Sequence, residues 1–97
     1  MIKHIVFFKT KPNHSKADLD AMAADFRKLG STTPYIKNFS IGEDFSHRGS
    51  FDLALCCDFD NEDDLKRYGA NEEHQRLIHH VIPNVCEDKR EIIDFSY

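Results

Sequence analysis

Four stretches of the chain alternate apolar and polar residues, as strands do when successive side chains point to opposite faces. The predicted strands are residues 2–10, 35–43, 51–59 and 87–97. The first stretch carries apolar side chains on both faces, with Ile2, His4, Val6 and Phe8 on one face and Ile5 and Phe7 on the other. Because both faces are largely apolar, we expect this strand to be covered on both sides.

A long helix is predicted between the first two strands, because apolar residues recur there at the spacing of one helix face. Ser15 and Asp18 fit a capping box at its beginning, and Gly30 fits its end. The buried stripe of this helix is predicted to consist of Leu19, Met22, Phe26 and Leu29.

Two short helices are predicted between the third and fourth strands. Asn61 is suited to cap the first of them, and Gly69 is expected to end it. Asn71 is suited to cap the second helix, and Pro83 is expected to lie beyond its end.

The order of these elements is βαββαβ, which is typical of ferredoxin-like α+β domains. We predict one domain over residues 1–97, with a four-stranded antiparallel sheet and helices on one face. Such a monomer would leave the other sheet face, including Ile5 and Phe7, in contact with water. We therefore expect a homodimer in which two sheets face each other around a two-fold axis.

Composition and charge exclude several classes of function. The net charge is −4 and no more than two Lys or Arg residues are adjacent, which argues against nucleic-acid binding. No apolar run is long enough to cross a membrane, and the apolar amino-terminal stretch is too short for a secretory signal. The three cysteines, Cys56, Cys57 and Cys86, do not resemble a disulfide framework, so we expect reduced thiols and a cytoplasmic location.

His74 is the most informative residue, because it lies on the apolar stripe of the second short helix with Leu77, Ile78 and Val81. An imidazole that points inward is either a structural group, satisfied by hydrogen bonds, or a functional group. His79 and His80 follow His74 at spacings that do not suit one metal ion. We therefore predict no metal site, and we expect no cofactor.

Five segments carry a resemblance to a known family. They are residues 2–9, 51–55, 58–59 and 92–95, together with the pair Tyr68 and His74, which five residues separate. In this order and spacing they resemble the stress-responsive α/β-barrel (Dabb) family of small dimeric proteins, over essentially the whole chain. The family implies two ferredoxin-like protomers that close a barrel through their sheets.

The resemblance also implies a site. Polyketide cyclases of this family catalyse an intramolecular aldol condensation with a Tyr and a His, which Tyr68 and His74 match in spacing and helix position. His4 and Asp94 match polar residues that line the same cleft, and Lys37 matches a lysine near its mouth.

Two positions depart from the cyclase pattern. Leu53 occupies a position in the third strand that is polar in the cyclases, which puts a cyclase substrate in doubt. The usual His-Pro before the family's helix is replaced by Asn71-Glu72, which makes the entrance more acidic.

Four functions remain open at this point. The first is a homodimeric protein that binds a small organic molecule in a partly apolar cleft, with catalysis undecided. The second is a cyclase, isomerase or lyase in which His74 removes a proton beside a carbonyl and Tyr68 donates to the enolate. The third is a cofactor-free monooxygenase of similar dimeric type, and the fourth is a structural stress protein in which a buried Tyr–His–Asp–His network holds the helix on the sheet.

Overall fold

The computed structural model describes residues 1–97 and contains four strands and a set of helices in the predicted order. The elements are β1 (Ile2–Thr10), α1 (Lys16–Thr32), β2 (Lys37–Glu43), β3 (Leu53–Phe59), α2 (Glu62–Ala70), α3 (Glu72–Arg76), a π-helical turn (Leu77–Val81), α4 (Ile82–Val85) and β4 (Cys86–Ser96). No helix among them has the length and apolarity needed to cross a bilayer.

The strands form one antiparallel sheet in the order β2-β3-β1-β4. This order places the first and last strands side by side, and His4 lies directly opposite Asp94 in their register. The predicted ferredoxin-like α+β fold is confirmed.

The hydrophobic core lies between the helices and one face of the sheet. The alternation predicted for β1 is confirmed on this face, where His4, Val6 and Phe8 are buried. Helix α1 packs its predicted stripe of Leu19, Met22, Phe26 and Leu29 against the sheet. Ser15 caps α1 as predicted, because its hydroxyl oxygen accepts a hydrogen bond from the backbone N–H of Asp18 at 3.0 Å.

Gly30 does not end α1, which continues to Thr32 and thereby corrects the predicted boundary. Its role is steric: a Cβ placed on Gly30 would lie 2.7 Å from both Cβ and Cγ of Phe39 on β2. The ring of Phe39 stacks in turn on that of Phe26, with a centroid distance of 6.4 Å. Gly30 is therefore required by the close approach of α1 to β2 rather than by a helix stop.

The region between β3 and β4 also differs from the prediction. Gly69 lies inside α2, which ends one residue later at Ala70, and Pro83 lies inside α4 near its start. Residues 72–85 are helical throughout, because the π-helical turn joins α3 to α4. Pro83 therefore lies within this helical segment, two residues before its end, and not beyond it as predicted. The observed strand boundaries differ from the predicted ones by at most two residues. Strand β2 begins at Lys37 and β3 at Leu53, each two residues later than predicted.

The sheet face opposite the helices is uncovered in the protomer. It carries Ile5 and Phe7 on β1 and continues onto β4, where Ile93 and Phe95 are 50% and 46% exposed. One carboxylate on this face is nonetheless buried: Asp58 binds the ammonium group of Lys3 at 2.7 Å.

Candidate functional site

Asn71 holds Tyr68 and His74 together through the backbone. Its N–H donates to the carbonyl oxygen of Tyr68 at 3.2 Å and so closes α2. Its side-chain oxygen accepts from the N–H of His74 at 3.0 Å and so caps α3. Because Asn71 caps the end of α2 and the beginning of α3, the side chains of Tyr68 and His74 point toward the same region of the sheet.

The rings of Tyr68 and His74 stack, with a centroid distance of 3.8 Å and an interplanar angle of 27°. Tyr68 is 2% exposed, whereas His74 is half-buried. Neither the Tyr68 hydroxyl nor the Nδ1 atom of His74 has a hydrogen-bond partner, although both atoms are buried. Buried polar atoms are almost always paired, so two unpaired atoms on neighbouring rings require an explanation.

Burial sets the protonation states of this pair. Desolvation lowers the pKa of the His74 imidazole to about 4, and the nearby charges of His4 and Arg90 act in the same direction. Desolvation also raises the pKa of the Tyr68 phenol above its ordinary value. At neutral pH the site therefore holds a neutral imidazole, which can accept a proton, beside a protonated hydroxyl, which can donate a hydrogen bond.

His4 and Asp94 form a second pair beneath Tyr68. The Nδ1 atom of His4 lies 2.5 Å from a carboxylate oxygen of Asp94, and the His4 ring meets the edge of Tyr68 at a centroid distance of 5.6 Å. Asp94 therefore orients His4 and not His74, and the hydrogen bonds considered for a structural Tyr–His–Asp–His network are made only within the His4–Asp94 pair.

A cavity of about 110 Å³ lies beside Tyr68, His74 and His4. Its lining is mostly apolar and consists of His4, Val6, Phe8, Phe26, Leu55, Tyr68, His74, Ile78, Ile82, Arg90 and Ile92. The exposed members of the lining, Arg90 and Ile92, both belong to β4. The cavity therefore reaches solvent beside this edge strand.

The structure brings four of the five sequence-predicted residues together, namely Tyr68, His74, His4 and Asp94. Lys37 lies elsewhere, on β2 at the opposite edge of the sheet, where its ammonium group binds both carboxylate oxygens of Asp60 at 2.7 and 2.8 Å.

Sequence reasoning identified Ile78 on the stripe of His74, but it missed Arg90 and did not predict the π-helical turn. Arg90 shares one face of β4 with Ile92 and Asp94, so the period-two pattern around Asp94 was the available signal. Ile78 lies in the π-helical turn, which changes the helical phase in a way that hydrophobic spacing does not indicate.

The cysteines and histidines outside the cluster add no further chemistry at this site. Desolvation raises the pKa of the buried Cys57 thiol to about 12 and that of Cys86 to about 11, so both are protonated at neutral pH. Cys56, Cys57 and Cys86 are free thiols, as expected. No three His, Cys, Asp or Glu side chains lie close enough together to hold a metal ion.

Solved structures of known proteins share this fold. A dimeric ferredoxin-like protein of unknown function from Thermobifida fusca is 24% identical, with a TM-score of 0.84 over 99% of this chain and 90% of that chain. Hydroxynitrile lyase from Passiflora edulis is 20% identical, with a TM-score of 0.83 over 97% of this chain and 90% of that chain.

Comparison of sequences identifies the family. A stress-response A/B barrel domain-containing protein of Arabidopsis thaliana is 26% identical in an alignment of 96 positions that covers 91% of this chain. The match covers 34% of the Arabidopsis protein, so the chain spans about a third of the length of that relative. The model of the stress responsive A/B barrel domain matches residues 2–97. The chain therefore belongs to the stress responsive A/B barrel domain (Dabb) family.

Proposed function

We propose that this protein is a homodimer in which each protomer binds a small, partly apolar organic molecule in the cavity beside Tyr68 and His74. The observation that carries this proposal is the pair of buried, unpaired polar atoms, the Tyr68 hydroxyl and His74 Nδ1, on two residues that line an apolar cavity. A ligand with a hydroxyl or carbonyl group would supply the missing hydrogen bonds, and its apolar part would fill the space above Val6 and Phe8.

The size of the cavity limits the ligand. An engineered cavity of roughly 150 Å³ in another protein accommodates benzene, so a volume of about 110 Å³ suits one ring or a short branched chain at most. The remainder of a larger ligand would extend past β4 into solvent.

The dimer follows from the uncovered sheet face. Ile5, Phe7, Ile93 and Phe95 form an apolar surface on the side without helices, and a second copy would bury it. The structural relative from Thermobifida fusca is described as dimeric, which supports the same assembly here.

The test of ligand binding uses benzyl alcohol, whose hydroxyl group can donate to His74 and accept from Tyr68. Ligand-detected NMR should register binding to the wild type and a loss of about tenfold in Tyr68→Phe. Tyr35→Phe is the matched control, because the Tyr35 hydroxyl binds the side chain of Asn71 and does not line the cavity. Binding that is unchanged in Tyr68→Phe, or absent from the wild type, contradicts the proposal.

Stability separates this function from a structural role for the cluster. The Tyr68 hydroxyl has no partner to lose, so Tyr68→Phe should leave the free energy of unfolding unchanged or raise it by up to about 1 kcal/mol. A structural role requires the same substitution to lower the stability.

A second candidate is an acid–base enzyme of the cyclase, isomerase or lyase type, and the observation that favours it is the neutral imidazole beside a protonated hydroxyl. In a lyase reaction on a hydroxynitrile, His74 Nδ1 would accept the hydroxyl proton while Tyr68 donates a hydrogen bond to the same oxygen. The carbon–carbon bond to the nitrile breaks, a carbonyl forms, and the departing cyanide takes up the proton from the imidazolium. Hydroxynitrile lyase from Passiflora edulis shares the fold, which supports testing this reaction first.

The assay is the cleavage of mandelonitrile, followed by the appearance of benzaldehyde. We expect the rate above background to vanish in His74→Gln and to persist in His79→Gln, a control at an exposed histidine of the same helical segment. A wild-type rate equal to the uncatalysed background contradicts the lyase candidate and leaves the binding proposal to its own test.

A further inference from the structure

The row of β4 side chains that faces the helices carries two charged residues with different surroundings. This row is formed by Arg90, Ile92 and Asp94, which lie opposite the buried residues Phe8, Val6 and His4 of β1. The carboxylate of Asp94 is paired with the imidazole of His4, whose Nδ1 atom lies 2.5 Å from Asp94 Oδ1. Arg90 forms no ion pair with any carboxylate of the protein and no hydrogen bond through its side chain.

Arg90 also lies at the junction of two spaces. It lines the cavity beside Tyr68 and His74, and it lines an adjoining groove of about 440 Å³ on the outer side of the π-helical turn. Ile78 and Ile82 are the other residues common to both linings, so an apolar wall and one guanidinium group separate the cavity from the groove. The groove contains Lys11 and His79 in addition to the acidic residues Glu87 and Asp88.

The groups around the mouth favour an anion. The guanidinium of Arg90 offers several N–H donors in a planar fork, which matches the two oxygens of a carboxylate. Tyr68, which also lines the cavity, carries a further unpaired donor in its hydroxyl group. The one carboxylate on the same row, that of Asp94, is engaged by His4 and is absent from the cavity lining. A ligand whose negative group lies inside the cavity beside Arg90 would therefore meet donors and no carboxylate of the cavity lining, because Glu87 and Asp88 belong to the adjoining groove.

We propose that Arg90 makes this cavity selective for small aromatic or branched aliphatic carboxylates, the apolar part lying on Val6 and Phe8 and the carboxylate at the guanidinium. This inference rests on the proposed function, because it names the chemical class of the molecule bound at the same site. It assigns to Arg90 a specificity-determining role.

The test compares benzoate with benzyl alcohol, which has the same ring and no charge. By ligand-detected NMR at low salt, the wild type should bind benzoate about tenfold more tightly than benzyl alcohol, since hydrogen bonds to charged groups are stronger than neutral ones. In Arg90→Gln this preference should disappear, while the affinity for benzyl alcohol should change less than about twofold.

Lys89→Gln is the matched control. Lys89 precedes Arg90 on the same strand, and its replacement by Gln removes the same charge as Arg90→Gln does. The ammonium group of Lys89 lies over the ring of Phe51, 5.4 Å from the centroid, and Lys89 does not line the cavity. The preference for benzoate should survive in this variant, which separates local recognition from a general effect of net charge.

The possible outcomes distinguish the selectivity assigned to Arg90 from the binding function proposed for the cavity. Equal affinities of the wild type for the two compounds, or a preference for benzoate that persists in Arg90→Gln, refute the role of Arg90 and leave the cavity as a binding site. Failure of both compounds to bind the wild type refutes the proposed binding function together with this inference. Loss of the preference in Lys89→Gln also refutes it, because the selectivity would then follow from net charge.

Discussion

Protonation of His74 should destabilise the fold, because the imidazole is partly buried and desolvation disfavours its charged form more than the nearby backbone carbonyls of Tyr68 and Gly69 favour it. The pKa of its ring is lowered from 6.5 to about 4 in the folded chain, chiefly by desolvation. The unfolded chain therefore binds a proton at this residue at a higher pH than the native protein does. The contribution of His74 to stability is complete above pH 6.5 and is lost as the pH falls toward 4.

The size of the effect follows from the shift and from the exposure of the ring. One pKa unit corresponds to about 1.4 kcal/mol, but solvent screens the accessible part of the side chain. We expect the wild type to lose about 1–2 kcal/mol through this residue on acidification from about pH 7 to about pH 4.5. Acidic residues that titrate in the same range add their own contributions, so the measurement must be a difference between two proteins.

The assay is urea unfolding followed by circular dichroism at a series of pH values, with the wild type compared with His74→Gln. The difference in unfolding free energy should change by about 1–2 kcal/mol between the two ends of the series, because only the wild type carries the titrating ring. His79→Gln should run parallel to the wild type, since His79 is exposed. A wild-type curve that runs parallel to that of His74→Gln refutes the assignment of a desolvated, neutral imidazole.

Three further predictions concern packing, capping and assembly. Gly30→Ala should destabilise the protein by about 1–2 kcal/mol in thermal or urea unfolding, because the new methyl group would lie 2.7 Å from Phe39, whereas Gly69→Ala, in an open helical position, should be neutral or slightly stabilising; equal effects of the two would contradict the steric role of Gly30. Asn71→Ala should cost about 1 kcal/mol through the lost cap and should weaken benzyl alcohol binding, and unchanged binding would contradict its role in placing His74. Phe7→Asp should convert a dimer into a monomer in light scattering at micromolar concentration, and a monomeric wild type would refute the proposed assembly.

The order of elements and the faces of the strands could be predicted from the sequence, because both follow from local periodicity. The alternation around Val6 and Phe8 reports burial directly, since one face of β1 is covered by helices. Tyr68 and His74 could be nominated as a pair because the family pattern and the apolar stripe both mark them. Their stacking could not be predicted, since it depends on Asn71 serving as the C-cap of one helix and the N-cap of the next.

Tertiary contacts decided what local patterns could not. Glycine in a helical pattern is ordinarily a stop signal, and only the approach of Phe39 reveals that Gly30 serves packing instead. Lys37 and Asp94 are equally polar in the sequence, but the order β2-β3-β1-β4 places them on opposite edges of the sheet. The same order brings Arg90 to the mouth of the cavity, because strand pairing joins residues that are more than eighty positions apart. Periodicity determines which side of an element is buried, whereas strand pairing and helix packing determine which polar groups meet there.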